Sequence, residues 1–277
     1  MKWMVQGRVA LVTGASRGLG AGLVERMAKR GMKVVLFGLE PELMKEVATP
    51  FGSKMRIVEG DVTSLEDLKG AVNTAISAFG KLDVVVANAG IGTIDPLENI
   101  DPNNFRKVID VNLIGVFNTL HAAAPSLKES KGYAMVVSSM AAFIQSPLNS
   151  HYTASKAAVF AMANCFRLEM RPFGVDVGTI HPSFANTDMM KEIEVVPGGK
   201  QLWNGNKGVW GMLEPEVVID AMEHALLTRK RMTVVPKKFW LAAMCPSFAQ
   251  PLIERFFTKN KIKETLTAYT AGKSLMK

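Results

Sequence analysis

In the stretch HYTASKAAVF, residues 151–160, Tyr152 stands four residues before Lys156. On a helix that spacing puts both side chains on one face, about one turn apart. An ammonium beside a phenol favours the phenolate, lowers the tyrosine pKa and makes proton exchange feasible nearer neutral pH. Taken alone, the spacing more often marks a cation–π or packing contact at a helix start, so its meaning depends on its surroundings. Those surroundings include Ser138 and Ser139, which end the apolar run YAMVVSS. At least one of these hydroxyls emerges at the carboxyl edge of a predicted strand, where open α/β folds bind ligands.

A second piece of chemistry lies near the start of the chain. TGASRGLG, residues 13–20, falls where a first predicted strand hands over to a first helix. Gly14 permits a tight turn, Gly18 lets backbone approach a pyrophosphate, and Gly20 allows close packing, while the helix N-terminus offers free N–H groups to an anion. The turn, with Ser16, Arg17 and Leu19 between its glycines, is a dinucleotide site in outline. At the end of the second strand, in KVVLFGLE, the position where a carboxylate would bind the ribose of NAD holds Gly38. Arg17 could meet a 2′-phosphate bidentately, so NADP is the expected coenzyme. NAD stays open, because Leu39 is not a cation and Glu40 could turn inward.

The elements that must position these groups follow from periodicity. Apolar runs of strand length (RVALVTG, KVVLFG, MRIVEGD, LDVVVANAG, YAMVVSS and VDVGTIHP) alternate with longer segments of helical period. Six buried strands with crossover helices, and a last strand MTVVP, predict an α/β fold with a single Rossmann-type, doubly wound parallel sheet and helices on both faces. Asp101–Pro102 reads as an N-cap with proline at the first helical position, opening a long helix through Asn112 and His121. A second helix is expected from about Ser150 to Phe173. Residues 183–213 lack clear periodicity and read as a mobile loop region with one short helix. The expected division is a dinucleotide-binding and catalytic domain over residues 1–236 and a basic, aromatic extension over 237–277.

TGASRGLG, ANAG at 87–90, Asn112 in NLIG, Ser139 and YTASK at 152–156 together resemble the short-chain dehydrogenase/reductase family, over roughly Gly7 to Val235. FGLEPEL, VVVANAGI and HPSFANTDM are also similar to a group of actinobacterial reductases. The resemblance implies that Ser139 hydrogen-bonds a substrate carbonyl, Tyr152 is the acid/base, Lys156 also holds the nicotinamide ribose, and Asn112 anchors a water for proton relay. It further implies coenzyme contacts at Asp61 and Val62, at Asn88, Ala89 and Gly90, and at Pro182 and Thr187. Ser183 replaces the glycine usual in the family after that proline. The implied reaction moves hydride between a nicotinamide and a ketone or secondary alcohol. The competing reading is a catalytically silent dinucleotide-binding protein of the same fold, which would be expected to lack part of the serine, tyrosine and lysine set.

Composition limits the rest. Of the formal +8 charge, +6 lies from Lys237 onward, so no basic face suited to nucleic acid covers the body. No metal is expected, because neither the histidines nor Cys165 and Cys245 fall in ligand spacing. His151 is expected at the surface. Two cysteines without a disulfide framework, a start lacking an apolar h-region and no run of about 18 apolar residues predict a cytoplasmic setting. The tail KKFWLAAMCPSFAQPLIERFFTKNK leaves two partners open. It could be a lid over an apolar pocket, favoured because Pro246 and Pro251 should break a long amphipathic helix, or a peripheral membrane contact. Trp203, Trp210, Phe184, Met189 and Met190 point to a small hydrophobic substrate. A homodimer through the long helices near Asn112 and Tyr152 is implied by the family, since the tail should alter the packing used by tetramers.

Overall fold

A computed structural model describes residues 3–199, 208–256 and 259–275. A seven-stranded sheet in the order β3-β2-β1-β4-β5-β6-β7 runs through the molecule, parallel throughout. Its strands are β1 Val9–Thr13, β2 Lys33–Gly38, β3 Met55–Glu59, β4 Val84–Ala87, β5 Tyr133–Val137, β6 Asp176–Pro182 and β7 Met232–Val235. Alternation along the central strands feeds two cores, one on each face. Val9 and Leu11 of β1 face one core, with α3 (Leu65–Phe79), α5 (Gly115–Ser130) and α6 (Ser150–Met170). Ala10 and Val12 face the other, with α1 (Gly18–Lys29), α2 (Pro41–Ala48) and α8 (Pro215–Thr228). This is the expected doubly wound architecture.

Three local expectations needed correction. β3 lies at the sheet edge, where Arg56, Ile57 and Glu59 are exposed, so it is not a buried strand. Asp101 does cap α4 (Pro102–Ile109), accepting from the Asn103 amide at 2.8 Å. The long helix beyond it, however, is interrupted by one π-helical turn, Asp110–Ile114, centred on Asn112. Such turns widen the helix by one residue and recur at functional sites. In the tail, α9 (Trp240–Met244), α10 (Pro246–Phe256) and α11 (Lys259–Leu275) all form, and Pro251 lies inside α10. The expected break does fall at Pro246, where α9 has ended and α10 begins, whereas Pro251 removes a single bond inside α10 without ending it.

A third apolar cluster lies beyond the sheet's carboxyl edge and joins the tail to the body. Ile94, Phe143, Ile144 and Leu148 pack there with Phe239, Ala243 and Tyr269. After β6 the one short helix expected there forms as α7 (Asp188–Val195), and Ala185 bridges to Leu213. Trp203 lies outside the described residues.

Candidate active site

Successive loops leave the carboxyl ends of β1 to β6 on one side of the sheet, and strand order reverses between β1 and β4, which opens a crevice there. A cavity of about 740 Å³ occupies it, lined at one end by Gly14, Arg17, Gly38 and Asp61 and at the other by Tyr152, Met189 and Trp210. Every predicted coenzyme position except Gly20 lines this cavity: Gly14, Ser16, Arg17, Gly18, Leu19, Asp61, Val62, Asn88, Ala89, Gly90, Tyr152, Lys156, Pro182 and Thr187. Gly20 lies beneath it, where a Cβ would stand 2.1 Å from the Gly14 carbonyl oxygen. Gly14 and Gly18 both adopt left-handed backbone, with φ of 62° and 57°. A side chain would be strained at either position.

Asn88 closes the floor of this cradle. Its Nδ2 donates to the carbonyls of Thr13 (3.0 Å) and Gly14 (3.1 Å), and its amide and that of Ala89 donate to Thr13 Oγ1 at 3.1 and 3.2 Å. Asp61 Oδ1 accepts from the Thr63 amide at 2.9 Å, and the Asp61 amide donates to Asp67 Oδ2 at 2.9 Å. Gly90 faces Asn112 and Lys156, since a Cβ there would lie 3.2 Å from Asn112 Oδ1 and 3.3 Å from Lys156 Nζ. An extended nicotinamide dinucleotide fits such a floor because glycine backbone leaves room for its pyrophosphate, so the residues present suit the group that the glycine turn predicts.

At the mouth, Arg17 forms an ion pair with Glu40, both partly exposed. Glu40 has therefore turned toward the glycine turn, the alternative left open by sequence. At Gly38 a Cβ would sit 3.0 Å from Ser16 Oγ, so the serine hydroxyl would have to give way to any side chain there.

Tyr152 and Lys156 share the inner face of α6, with the ammonium 5.6 Å from the phenol ring centroid. Lys156 is buried and donates to the Val137 carbonyl at 3.1 Å. Burial lowers its pKa to about 8. The expected fall in the Tyr152 pKa is not found. Burial raises it above its usual value, and a hydrogen bond with Ser139 acts only partly in the other direction. Desolvation disfavours phenolate more than the available partner favours it. The phenol is therefore neutral at pH 7.

Ser139 lies at the end of β5 and caps a short turn, its Oγ accepting from the Ala141 amide at 3.1 Å. Ser138 faces differently, donating to the Lys156 carbonyl at 3.0 Å and so tying β5 to α6. Asn112 is fully buried. Its Oδ1 accepts from the Ile91 amide at 2.8 Å, and its Nδ2 donates to the Ile91 carbonyl (2.9 Å) and to Ser155 Oγ (3.1 Å). The π turn thus delivers an amide that holds the β4 loop against α6, one residue from Lys156.

Sequence reasoning missed two histidines. His151 is buried rather than exposed, its Nε2 2.6 Å from Thr93 Oγ1, because the start of α6 is covered by the Thr93 loop. His181 is buried between Phe143 and Phe160 and bonds the Ser139 carbonyl through Nδ1 at 3.3 Å. That carbonyl can only accept, so Nδ1 carries the proton and Nε2 takes the Thr179 hydroxyl at 2.9 Å. Burial lowers the His181 pKa to about 4, so the ring stays neutral while it holds the backbone of Ser139. No pattern around HPSFANTD pointed to this, since the partner lies 42 residues away.

The fold and cavity together define a Rossmann-type dinucleotide protein with a serine, tyrosine and lysine at its inner end. A model of the family described as short chain dehydrogenase matches residues 8–195. The chain belongs to the short-chain dehydrogenase/reductase family. It is 38% identical over 184 residues to a 3-alpha-(or 20-beta)-hydroxysteroid dehydrogenase of Mycobacterium tuberculosis, covering 66% of this chain and 71% of the relative. It is 34% identical over 206 residues to a (-)-trans-carveol dehydrogenase of Rhodococcus erythropolis, covering 68% and 74%. A short chain dehydrogenase from Mycobacterium paratuberculosis, solved bound to NAD, superposes with a TM-score of 0.74 at 28% identity, covering 84% of this chain and 97% of its own.

Proposed function

We propose that the chain is an NADP-preferring oxidoreductase that moves hydride between the nicotinamide and a hydrophobic ketone or secondary alcohol. The observation that carries this is one cavity joining a glycine cradle to Tyr152 and Ser139 and ending in apolar walls. When bound, the coenzyme would supply or accept the hydride. In the reductive direction Tyr152 gives its proton to the carbonyl oxygen, and Ser139 Oγ donates a hydrogen bond where negative charge builds. Lys156, cationic below a pKa of about 8, steadies the charge left on the phenol and would hold the nicotinamide ribose. Asn112 fixes the corner at which a relayed proton would reach Lys156. Asp61 and Val62 would meet the adenine, and Pro182 and Thr187 the carboxamide end, with Ser183 adding bulk beside them. A silent binding protein would have no need of serine, tyrosine and lysine on one cavity wall.

The apolar substrate is supported by Ile94, Ile144, Phe184, Met189, Ile193 and Trp210, which line the far end. Two relatives named for a hydroxysteroid and for carveol fit the same class. NADP rests on Arg17 and on the missing carboxylate at Gly38. A second reading, NAD, rests on Glu40, which now engages Arg17 and could instead meet a ribose hydroxyl. Exposed Ile114 and Phe117 on one helical face, with Leu168 and Phe173 on the other, support a homodimer. The exposed free thiols of Cys165 and Cys245 fit a reducing cytoplasm.

The test is a panel of apolar ring ketones followed by nicotinamide absorbance at pH 7, with NADPH and with NADH. NADPH should give kcat/KM at least about tenfold higher, the effect of one charge-assisted phosphate contact. Turnover with NADH alone would transfer the coenzyme role from Arg17 to Glu40, and turnover of only small polar ketones would reject the substrate class.

A further inference from the structure

The tail has two faces, and only one is used by the fold. Phe239 and Ala243 are buried against the third cluster, with Ala242 and Ile253 partly so. On the outer side Trp240 (54% exposed), Leu241 (67%), Met244 (50%), Phe248 (72%) and Leu252 (44%) follow one another along α9 and α10. Between Phe239 and Ile253 no charged residue interrupts this row. Lys237 and Lys238 precede it and Arg255 follows it, all exposed, with Glu254 beside Arg255; on α11 Lys261 and Lys263 are exposed with one exposed acid, Glu264, so the flanks stay net basic. Single exposed apolar residues need no explanation, but five large ones in thirteen positions mark a contact surface.

We propose that this outer face docks on an anionic lipid bilayer, with the row entering the interfacial region and the flanking cations meeting acidic headgroups. Tryptophan, phenylalanine and leucine on one side with lysine and arginine beside them are what an interfacial helix pair requires. None of the described helices is long and apolar enough to cross a membrane, which fits a surface that lies on it. A second copy of the chain is a poorer occupant, since a twofold contact centred on the row would bring Lys237 and Lys238 at one end toward the cation Arg255 at the other end of the second copy. The two short helices also sit beside the cavity. Gln250 Oε1 accepts from the Gln145 amide at 3.0 Å, and Gln145 lies between the lining residues Ile144 and Ser146. If the substrate is apolar, as proposed above, docking would place the substrate end of the cavity close to the phase in which such a molecule dissolves.

Co-sedimentation of the full chain with vesicles of phosphatidylcholine alone, and of phosphatidylcholine mixed with phosphatidylglycerol, tests the proposal without any activity readout. The protein should pellet with the mixed vesicles, and the Leu241→Glu/Phe248→Glu double variant and the Lys237→Gln/Lys238→Gln/Arg255→Gln variant should each weaken partitioning by about tenfold or more. These positions are exposed, so retained dinucleotide affinity reports that the variants fold. Absence of pelleting by the wild type, or equal pelleting of wild type and both variants, overturns the proposal. So does a dimer that dissociates in the Leu241→Glu/Phe248→Glu variant without any change in lipid binding, which would make the face an interface between copies.

Discussion

At the proposed coenzyme end of the cavity glycine backbone forms the floor, and at the proposed substrate end large apolar side chains form the walls. Gly14, Gly18, Gly20 and Gly90 line or underlie the first, and Asn88 stitches β4 to β1 with bonds to main-chain carbonyls. Phe184, Met189, Ile193 and Trp210 line the second, and what stands behind them comes from distant chain: Trp210 stacks on Phe239 of the tail at 5.2 Å. Backbone walls cannot adjust, so they demand particular residues at particular positions. Apolar walls tolerate exchange of one large side chain for another at small cost. The first end therefore fixes a chemistry common to many chains, while the second can be redrawn for each substrate.

That contrast is tested most severely where the two ends meet. Tyr152→Phe removes only the hydroxyl proposed to transfer the proton, from a side chain on the cavity wall between both ends. The expected result is a fall in kcat of about 10³-fold, within the usual range for a general acid, with dinucleotide Kd unchanged. Turnover within tenfold of wild type would reject the acid/base assignment. A lost dinucleotide affinity would mean that the ends are one structural unit rather than two.

Gly20→Ala tests the backbone wall itself. A Cβ would stand 2.1 Å from the Gly14 carbonyl oxygen and 2.6 Å from Asn88 Nδ2, so the turn or the β4 loop must shift. Overpacking of this kind costs about 2 kcal/mol, and titration of the coenzyme should show Kd raised roughly thirtyfold. An unchanged Kd would show that this end is as adaptable as the other.

Legibility in the sequence follows the same division. The glycine turn and Y-x-x-x-K are local patterns whose physical demands act within a few residues, and both sit where expected, with Ser139 close to Tyr152. Strand and helix order was legible for the same reason, since periodicity is local. What was not legible depends on contacts between remote segments. His151 is buried by the Thr93 loop, His181 reads Ser139 across two strands, and the pKa of Tyr152 is set by surrounding desolvation rather than by its helical neighbour. The choice between lid and membrane contact for the tail was unresolvable from composition because different residues of the same helices face in and out.

The smallest effect is expected farthest from the chemistry. The Tyr269 hydroxyl on α11 donates to Asp95 Oδ1, and the ring is buried beside Gly198. Gly198, with φ of 84°, lets that segment pass so closely that a Cβ would lie 3.3 Å from Tyr269 Cβ and 2.9 Å from the Thr265 carbonyl oxygen. Gly199, its neighbour, lines the cavity. The tail thus supports the substrate wall from behind rather than forming it. Tyr269→Phe keeps the ring and deletes one hydrogen bond, worth about 1 kcal/mol. Steady-state kinetics should show KM for a bulky ketone raised about threefold to fivefold, with kcat and dinucleotide Kd both unchanged. A loss confined to kcat would place Tyr269 in communication with the proton-transfer corner. An equal rise in dinucleotide Kd would show that the tail supports both ends, and the division between a backbone wall and a side-chain wall would then fail.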